Sequence, residues 1–344
     1  MYDTTENIKG FHNSKVSLAT AQQEAMKKRR NTNRTRLKDG LKANNKPKPI
    51  GSNSQGSYTM KTMVQDSSND YDIDDGVYFD KAVLVGSLGG ELTSLQVRQM
   101  VCEALGMTNS FKKAPEVLKN CVRVYYTEGY HVDVPAYRVI SEKDTWTGNV
   151  NSYYELASSV WKRSDPLEVT NWFKAINKDL SPDSPSANGG QFRRIVRLLK
   201  YFSRSRPSWK DRITTGFMIS KLAEECYQAS TGRDDIALRE TMKTIKNRLV
   251  MNSNIDHPVL QGERITNDND SRPVFLKEKL LENLKHLEVL DNIDCSHEDA
   301  MKAWDKVLNC SWFSDQPGGN GNKSNKANKT PNAAVRKEGG NRYA

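Results

Sequence analysis

Three carboxylates stand in two short segments whose alternating pattern predicts β-strands. Asp72 and Asp74 are two residues apart, and in a strand this spacing directs both side chains to one face while Ile73 faces the core. Asp133 stands between two valines, so a strand there buries the valines and turns the carboxylate to the other side. Oxygen ligands of this kind suit Mg²⁺ or Mn²⁺. Two such ions about 4 Å apart can activate a hydroxyl and stabilise a leaving pyrophosphate, so these residues predict a centre that transfers a nucleotide.

A glycine–hydroxyl turn precedes the first acidic strand. Gly56 and Ser57 open it, and residues 58–64 are predicted to form a short helix whose free N–H groups point toward the turn. Such a helix end attracts phosphate, and the Ser57 hydroxyl adds a donor for a triphosphate. Alone, a Gly-Ser pair is usually a turn, and an Asp-x-Asp pair is usually a solvated strand face or loop. Their order favours a nucleotide site, because the acidic strand follows the turn by about fifteen residues and a second acidic strand follows in a hairpin.

Periodicity predicts the elements that must position these side chains. A long polar helix ends where Lys46-Pro47-Lys48-Pro49 cannot continue it. Two runs of high β-propensity flank Thr127-Glu128-Gly129, a hairpin signal that places Asp133 beside the first acidic strand. The predicted elements of this half are a helix over 14–44, a strand over 72–79, a helix over 93–106, and a hairpin of 121–126 with 130–134.

The second half, from about residue 150, is predicted to be mostly helical. Apolar residues between Phe192 and Leu199 recur at helical spacing, with basic residues around them, which indicates an amphipathic helix with a basic exposed side. The basic residues are Arg193, Arg194, Arg197 and Lys200.

In the first half, Arg123 is a candidate for a contact with a base or phosphate, because its strand neighbours that of Asp133; a surface strand arginine is the alternative.

Composition favours a cytoplasmic protein with no membrane segment. The 344 residues have a mean hydropathy of −0.75 and no apolar run near eighteen residues, which excludes a membrane span. The start lacks the apolar core of a signal peptide. Five cysteines without a Cys-x-x-Cys pair argue against a disulfide framework, and the five histidines lack the spacing of a zinc site.

The net charge of +10 is carried by the two ends of the chain. Residues 1–50 contain twelve Lys/Arg against four Asp/Glu, and residues 317–344 contain six against one, which leaves the part between them slightly acidic. The net positive charge of the chain therefore does not require a basic groove for nucleic acid. The basic face of the long helix is typical of a solvated surface, and contact with nucleic acid or a partner is the alternative; its residues are Lys27, Lys28, Arg29, Arg30, Arg34 and Arg36.

The order and the amino-acid sequences of these motifs resemble those of a known family. Gln55-Gly56-Ser57, Asp72-Ile73-Asp74-Asp75-Gly76 and Val132-Asp133-Val134-Pro135 are similar to the motifs of polymerase-β-like nucleotidyltransferases, and within them to the bacterial cGAS/DncV-like nucleotidyltransferases, the CD-NTases. The resemblance covers roughly residues 10–310 and is most specific in the first half. It implies an α+β fold, with a polymerase-β-like core of mixed sheet and long N-terminal spine helix, followed by a mostly helical C-terminal domain.

The resemblance also implies domains and site residues. The domains are an N-terminal arm over 1–13, a catalytic core over 14–150, a helical nucleotide-binding domain over 151–316, and a disordered basic tail over 317–344. Lys200 is expected to reach the donor triphosphate, and a hydroxyl at a helix start, Thr214 or Thr215, is expected to follow it. The implied catalytic and metal-binding residues are Asp72, Asp74 and Asp133, and the implied nucleotide-binding residues are Gln55, Gly56, Ser57, Lys200, Thr214, Thr215 and Arg123.

The implied activity is synthesis of a cyclic oligonucleotide second messenger in anti-phage signalling. The substrates are ATP, GTP or other NTPs, the cofactors are two Mg²⁺ ions, for which Mn²⁺ can substitute, and the favoured product is a cyclic GMP-AMP-like dinucleotide that acts through a downstream effector. Two alternatives stay open: another polymerase-β-like nucleotidyltransferase, acting on RNA or a small-molecule acceptor, and a catalytically silent partner-binding module.

The C-terminal tail changes in composition to Gly, Asn, Lys and Ser without apolar periodicity, which is typical of disorder. A solubilising terminus is one interpretation of this segment. The resemblance implies another, in which a ubiquitin-type E1–E2 partner joins Ala344 to target groups.

Overall fold

The computed structural model describes residues 1–65, 72–107, 113–127, 129–143, 149–183 and 189–316. They form two compact units, one of Leu18–Asn171 and the other of Met1–Ser17 with the described residues from Trp172 onward. No helix within the described ranges is long and apolar enough to cross a membrane. The predicted tail with Ala344, and Glu128 of the predicted hairpin turn, lie outside the described residues.

The unit of Leu18–Asn171 is built on one mixed sheet. Strand β2 is its centre: it pairs in parallel with β5 and β6 and antiparallel with β1, and the sheet order is β3-β4-β5-β2-β6-β7-β8. The strands are β1 Gly51–Gln55, β2 Asp72–Asp80, β3 Glu116–Val117, β4 Val122–Tyr125, β5 His131–Val134, β6 Ala136–Lys143, β7 Val150–Ala157 and β8 Trp161–Arg163. The predicted acidic strand is confirmed, and the hairpin of β4 and β5 brings Asp133 beside it.

Helices α2 (Thr20–Ala43) and α4 (Ser94–Gly106) pack with this sheet. Side chains from both helices share a core with β2, because alternate residues of β2 are apolar and face them. This core includes Leu37, Leu41, Ile73, Val77, Phe79, Val97 and Val101. The helices approach so closely that a Cβ at Gly40 would lie 2.0 Å from the carbonyl oxygen of Ala104. The predicted helix over 93–106 is confirmed, and Thr93 and Gln96 form its capping box.

Helix α2 is shorter than the predicted helix over 14–44. The backbone is extended at Ser17 and Ala19, and residues His12–Val16 form a separate π-helical turn, so α2 begins only at Thr20. Few of its side chains are apolar and buried, and polar contacts anchor it instead. The Tyr126 hydroxyl donates to Asn33 Oδ1 at 2.6 Å. These contacts explain how so polar a helix is held on the sheet.

The other unit is helical. Its helices are α1 Thr5–Phe11, α6 Gln191–Arg204, α7 Gly216–Cys226, α8 Asp234–Met251, α9 Ser271–Leu284 and α10 His297–Leu308, while α5 Pro166–Leu180 contains the boundary between the units. The amphipathic helix predicted around residue 195 is confirmed as α6. The predicted N-terminal arm contains α1, whose start is tied to α8 because Thr4 and Thr5 both bond the buried carboxylate of Asp235.

Residues 150–163 differ from the predicted mostly helical segment. They form β7 and β8, which extend the sheet beyond β6. Helix α5 begins only at Pro166. The sequence did not predict these strands because their polar and aromatic residues show no clean alternation of apolar side chains. They form strands because the sheet provides β6 as a pairing partner.

Candidate active site

The sheet brings the predicted carboxylates together. In the parallel pairing of β2 with β5, Asp72 lies opposite His131 and Asp74 lies opposite Asp133. Alternation then puts these four side chains on one face of two adjacent strands. Ligand atoms of Asp72, His131 and Asp133 lie within 4.8 Å of one another, close enough to share a cation.

The pKa of Asp74 departs from its ordinary value. Burial raises the pKa of Asp74 well above its ordinary value, and the neighbouring carboxylates of Asp72 and Asp133 raise it further, while Arg123 opposes them. A divalent cation bound here favours the ionised form of all three carboxylates. The oxygen donors therefore fit a hard divalent ion such as Mg²⁺ or Mn²⁺.

Asp75, the next residue along β2, faces away from the site. Its buried carboxylate accepts from Arg34 Nε at 2.7 Å and Arg34 Nη2 at 2.6 Å, and from the Ser54 hydroxyl at 2.9 Å. It joins the sheet to α2 and does not share the face of the candidate metal ligands.

Arg123 lies opposite Asp133 across β4 and β5. Its Nε donates to one carboxylate oxygen and its Nη2 to the other, each at 2.7 Å. The sequence predicted that Arg123 contacts a base or phosphate of the nucleotide. In the structure its guanidinium is bound to the third carboxylate of the site.

The glycine turn meets the acidic strand directly. Gln55 lies opposite Asp74 at the end of β1, and the chain then turns at Gly56, which has φ +64°. A Cβ at Gly56 would lie 2.3 Å from Asp74 Oδ2, so both the backbone conformation and the space require glycine. Ser57 follows in the same turn.

The short helix predicted over 58–64 is a single turn, α3 Gly56–Thr59. Lys61 has φ +56°, a left-handed conformation that a helix cannot contain. The helix therefore starts earlier than predicted, at the glycine itself, and ends sooner.

A tyrosine that sequence analysis missed supports the turn. Gln55 Nε2 donates to the Tyr137 hydroxyl of β6 at 2.8 Å, and Tyr137 stacks on Tyr78 with ring centroids 4.8 Å apart. Gly76 makes room for this arrangement, because a Cβ there would lie 2.7 Å from Gln55 Oε1 and 2.9 Å from Tyr137 Cε2. A glycine inside a strand is the signal that could have indicated this close approach.

His131 was missed as well. It is two residues before Asp133 in the same strand, so the alternation that assigned Asp133 to the site assigns His131 to the same face. The sequence analysis considered histidines only for zinc spacing and did not apply this rule.

Lys200, Thr214 and Thr215 lie together in the helical unit. Lys200 is buried on α6, and a Cβ at Gly216 would lie 3.2 Å from its Cε, so the lysine packs against the start of α7. The Thr215 hydroxyl caps that helix by accepting from Met218 N at 3.3 Å. The Thr214 hydroxyl is buried and has no hydrogen-bond partner among the described residues. The structure thus separates the two threonines, since only Thr215 is committed to capping.

A family model matches the part of the chain that contains the carboxylates and the glycine turn. Residues 52–137 match the nucleotidyltransferase domain of cyclic GMP-AMP synthase DncV-like proteins. Within this segment the chain is similar to that domain. Asp72, Asp74 and Asp133 all lie within it, and the enzyme class predicted from them, a nucleotidyltransferase, is confirmed.

Solved structures of CD-NTases share the fold of both units. DncV of Vibrio cholerae, a cyclic AMP-GMP synthase, is 16% identical with a TM-score of 0.69, covering 91% of this chain and 97% of that one. CdnG of Bradyrhizobium diazoefficiens, in complex with GTP, is 14% identical with a TM-score of 0.68, covering 91% and 97%. CdnC of Escherichia coli MS115-1, with ATP, is 17% identical with a TM-score of 0.61, covering 90% and 98%. The predicted α+β, polymerase-β-like fold is confirmed.

Proposed function

We propose that this protein is a cyclic oligonucleotide synthase that joins NTPs by metal-assisted nucleotidyl transfer. The observation that carries the proposal is the meeting of three carboxylates with the glycine turn, in which Gly56 lies directly against Asp74. The names of similar structures agree with it, since one of them contains a linear intermediate, pppA(3′,5′)pG, bound to a cyclic AMP-GMP synthase.

Asp72, Asp74 and Asp133 would hold two Mg²⁺ ions, or Mn²⁺ in their place. Such ions lower the pKa of an acceptor hydroxyl and neutralise a leaving pyrophosphate. The chain's own residues bind and orient the nucleotides. Gly56 and Ser57 hold the β- and γ-phosphates. Gln55 supports the turn through its hydrogen bond to Tyr137. A 3′- or 2′-hydroxyl then attacks the α-phosphate in line, and a second transfer closes the ring.

The helical unit contains other residues that are predicted to bind nucleotide. Lys200 neutralises charge on the donor triphosphate, and the buried Thr214 hydroxyl, which lacks a partner in the described residues, is the better candidate of the two threonines for a phosphate contact. Thr215 instead keeps the start of α7 ordered.

The proposed product is a cyclic GMP-AMP-like dinucleotide that acts through a downstream effector in anti-phage defence, in the cytoplasm. The wording of the motif from Asp72 to Gly76 supports this product. A similar structure, the complex of CdnC with HORMA-deltaN, supports a protein partner as a further part of the proposal.

The test is to incubate the purified full chain with all four labelled NTPs and Mg²⁺ or Mn²⁺, treat with phosphatase, and identify the surviving species by mass spectrometry. We expect a phosphatase-resistant cyclic product that Asp72→Asn and Asp74→Asn each reduce by at least about a hundredfold, since each removes a metal ligand. Asp80→Asn is the matched control, because Asp80 is exposed at the far end of the same strand.

Absence of a cyclic product with either metal would contradict the proposal. Transfer of a labelled nucleotide to RNA or to a small molecule would instead assign the chain to another class of polymerase-β-like nucleotidyltransferase.

A further inference from the structure

Two bidentate arginine–carboxylate pairs bracket the candidate site. Arg123 binds both oxygens of Asp133 at 2.7 Å on the metal-binding face, and Arg34 binds both oxygens of Asp75 at 2.7 and 2.6 Å on the other face. The carboxylate of each pair is buried, with side-chain exposures of 8% for Asp133 and 4% for Asp75. Only the first pair includes a residue proposed as a metal ligand.

Arg123 also interacts with carboxylates other than that of Asp133. Three carboxylates converge there, and in addition to Asp133 the carboxylate of Asp72 raises the pKa of the Arg123 guanidinium. Arg123 in turn counteracts the repulsion that raises the pKa of Asp74. The bidentate pair with Asp133 thus places a positive charge against the clustered negative charge of this face.

The Arg123 guanidinium and a divalent ion at the proposed metal centre would both bind the carboxylate of Asp133. Each oxygen of Asp133 already accepts one N–H bond from Arg123, and charge-assisted bidentate pairs of this kind are strong. A cation that coordinates Asp133 must therefore share or displace these bonds, and it also meets the positive charge of Arg123 at short range.

We propose that Arg123 is a positioning residue that holds Asp133 and competes with divalent cations for it, so that it lowers the affinity of the nucleotide-free protein for the metal. This inference rests on the proposed metal centre. Arg123 acts through Asp133 and takes no part in the bond-making step. Arg34 provides the contrast, because its pair has the same geometry but joins helix α2 to the sheet.

The experiment is a titration of the nucleotide-free full chain with Mn²⁺, followed by electron paramagnetic resonance of the free ion. We expect Arg123→Gln to bind Mn²⁺ about tenfold more tightly than the wild type, which corresponds to about 1.4 kcal/mol. Arg34→Gln, the matched control, is expected to lower the unfolding temperature and to leave Mn²⁺ affinity unchanged. Arg123→Met, which keeps the length of the side chain but not its charge, should behave as Arg123→Gln and serves if that variant does not fold.

Two results would overturn the inference, and they are distinguishable. If wild-type Mn²⁺ binding is lost in Asp72→Asn and Asp74→Asn but the Arg123 variants bind no more tightly than the wild type, Arg123 only supports the fold. If the Asp72 and Asp74 variants retain wild-type binding, the metal centre of the proposed function fails together with the inference.

Discussion

Gly56 meets two requirements at once. Its φ of +64° favours glycine, and a Cβ at this position would push against the Asp74 carboxylate. Because glycine has no side chain, the turn that is proposed to hold phosphates can lie directly against the carboxylate that is proposed to hold metal. At this scale, function depends on a few contacts that tolerate little change.

The hydrogen bond between Gln55 and Tyr137 allows a direct test of how the turn is held. Tyr137→Phe leaves the buried Gln55 amide without its acceptor, which we expect to cost about 1–3 kcal/mol of stability and to raise KM for NTPs. Urea unfolding and steady-state kinetics measure the two effects.

Tyr78→Phe is the matched control for that variant. Tyr78 is stacked on Tyr137, and its buried hydroxyl has no hydrogen-bond partner within the described residues. We expect its removal to be neutral or stabilising, without a change in KM. Equal losses in the two variants would contradict a specific role of the bond to Gln55 in supporting the turn.

Among the elements, helix α2 is placed by two kinds of contact. Polar bonds, above all that of Arg34 with Asp75, anchor its basic face to the sheet, so part of the face predicted to be solvated is in fact engaged. Its apolar side packs on α4, where Gly40 lies against the backbone of Ala104. The position of the spine helix thus depends on one glycine and on buried charge.

Gly40→Ala tests the approach of the two helices. Alanine favours helix formation by about 1 kcal/mol over glycine, yet a Cβ here would lie 2.0 Å from the Ala104 carbonyl oxygen. Because backbone cannot move aside easily, we expect a net destabilisation of about 1–3 kcal/mol in urea unfolding. Gly106→Ala, in α4, is the control, since among the described residues its Cβ would meet only Pro115 Cδ, at 3.9 Å. Equal stability of the two variants would contradict this account of the packing.

At the scale of the whole molecule, the proposed site residues are divided between a sheet-based unit and a helical unit. The proposed metal ligands and the glycine turn belong to the unit of Leu18–Asn171, while Lys200 and Thr214 belong to the other. Most of the excess positive charge is in the first 50 residues and in residues 317–344. The catalytic proposal therefore does not depend on the basic tail.

Deleting Arg342–Ala344 tests that separation of tasks. We expect the yield of cyclic product to be unchanged, because no residue of the proposed site is removed, while conjugation by an E1–E2-type partner is lost. Mass spectrometry of the nucleotide product and of the intact protein, co-expressed with the partner, measures both. Loss of both activities would contradict the proposed division.

The face that carries the three carboxylates could be predicted from the sequence because alternation is a local property. Once Asp72, Asp74 and Asp133 are placed in strands, a period of two fixes which face each carboxylate occupies. The helices over 94–106 and 191–204 followed from apolar periodicity in the same way. The bounds of α2 and α3 did not, because single residues with extended or left-handed backbone decide them.

The contacts between strands could not be predicted in this way. His131 meets Asp72, Arg123 binds Asp133, and Tyr137 supports Gln55 because the sheet places their strands side by side. Strands β7 and β8 likewise depend on pairing with β6. The sequence by itself determined which chemical groups the candidate site contains and the face on which they lie. Only the tertiary structure decided which distant side chains complete it, because sheet order results from the packing of residues far apart in the chain.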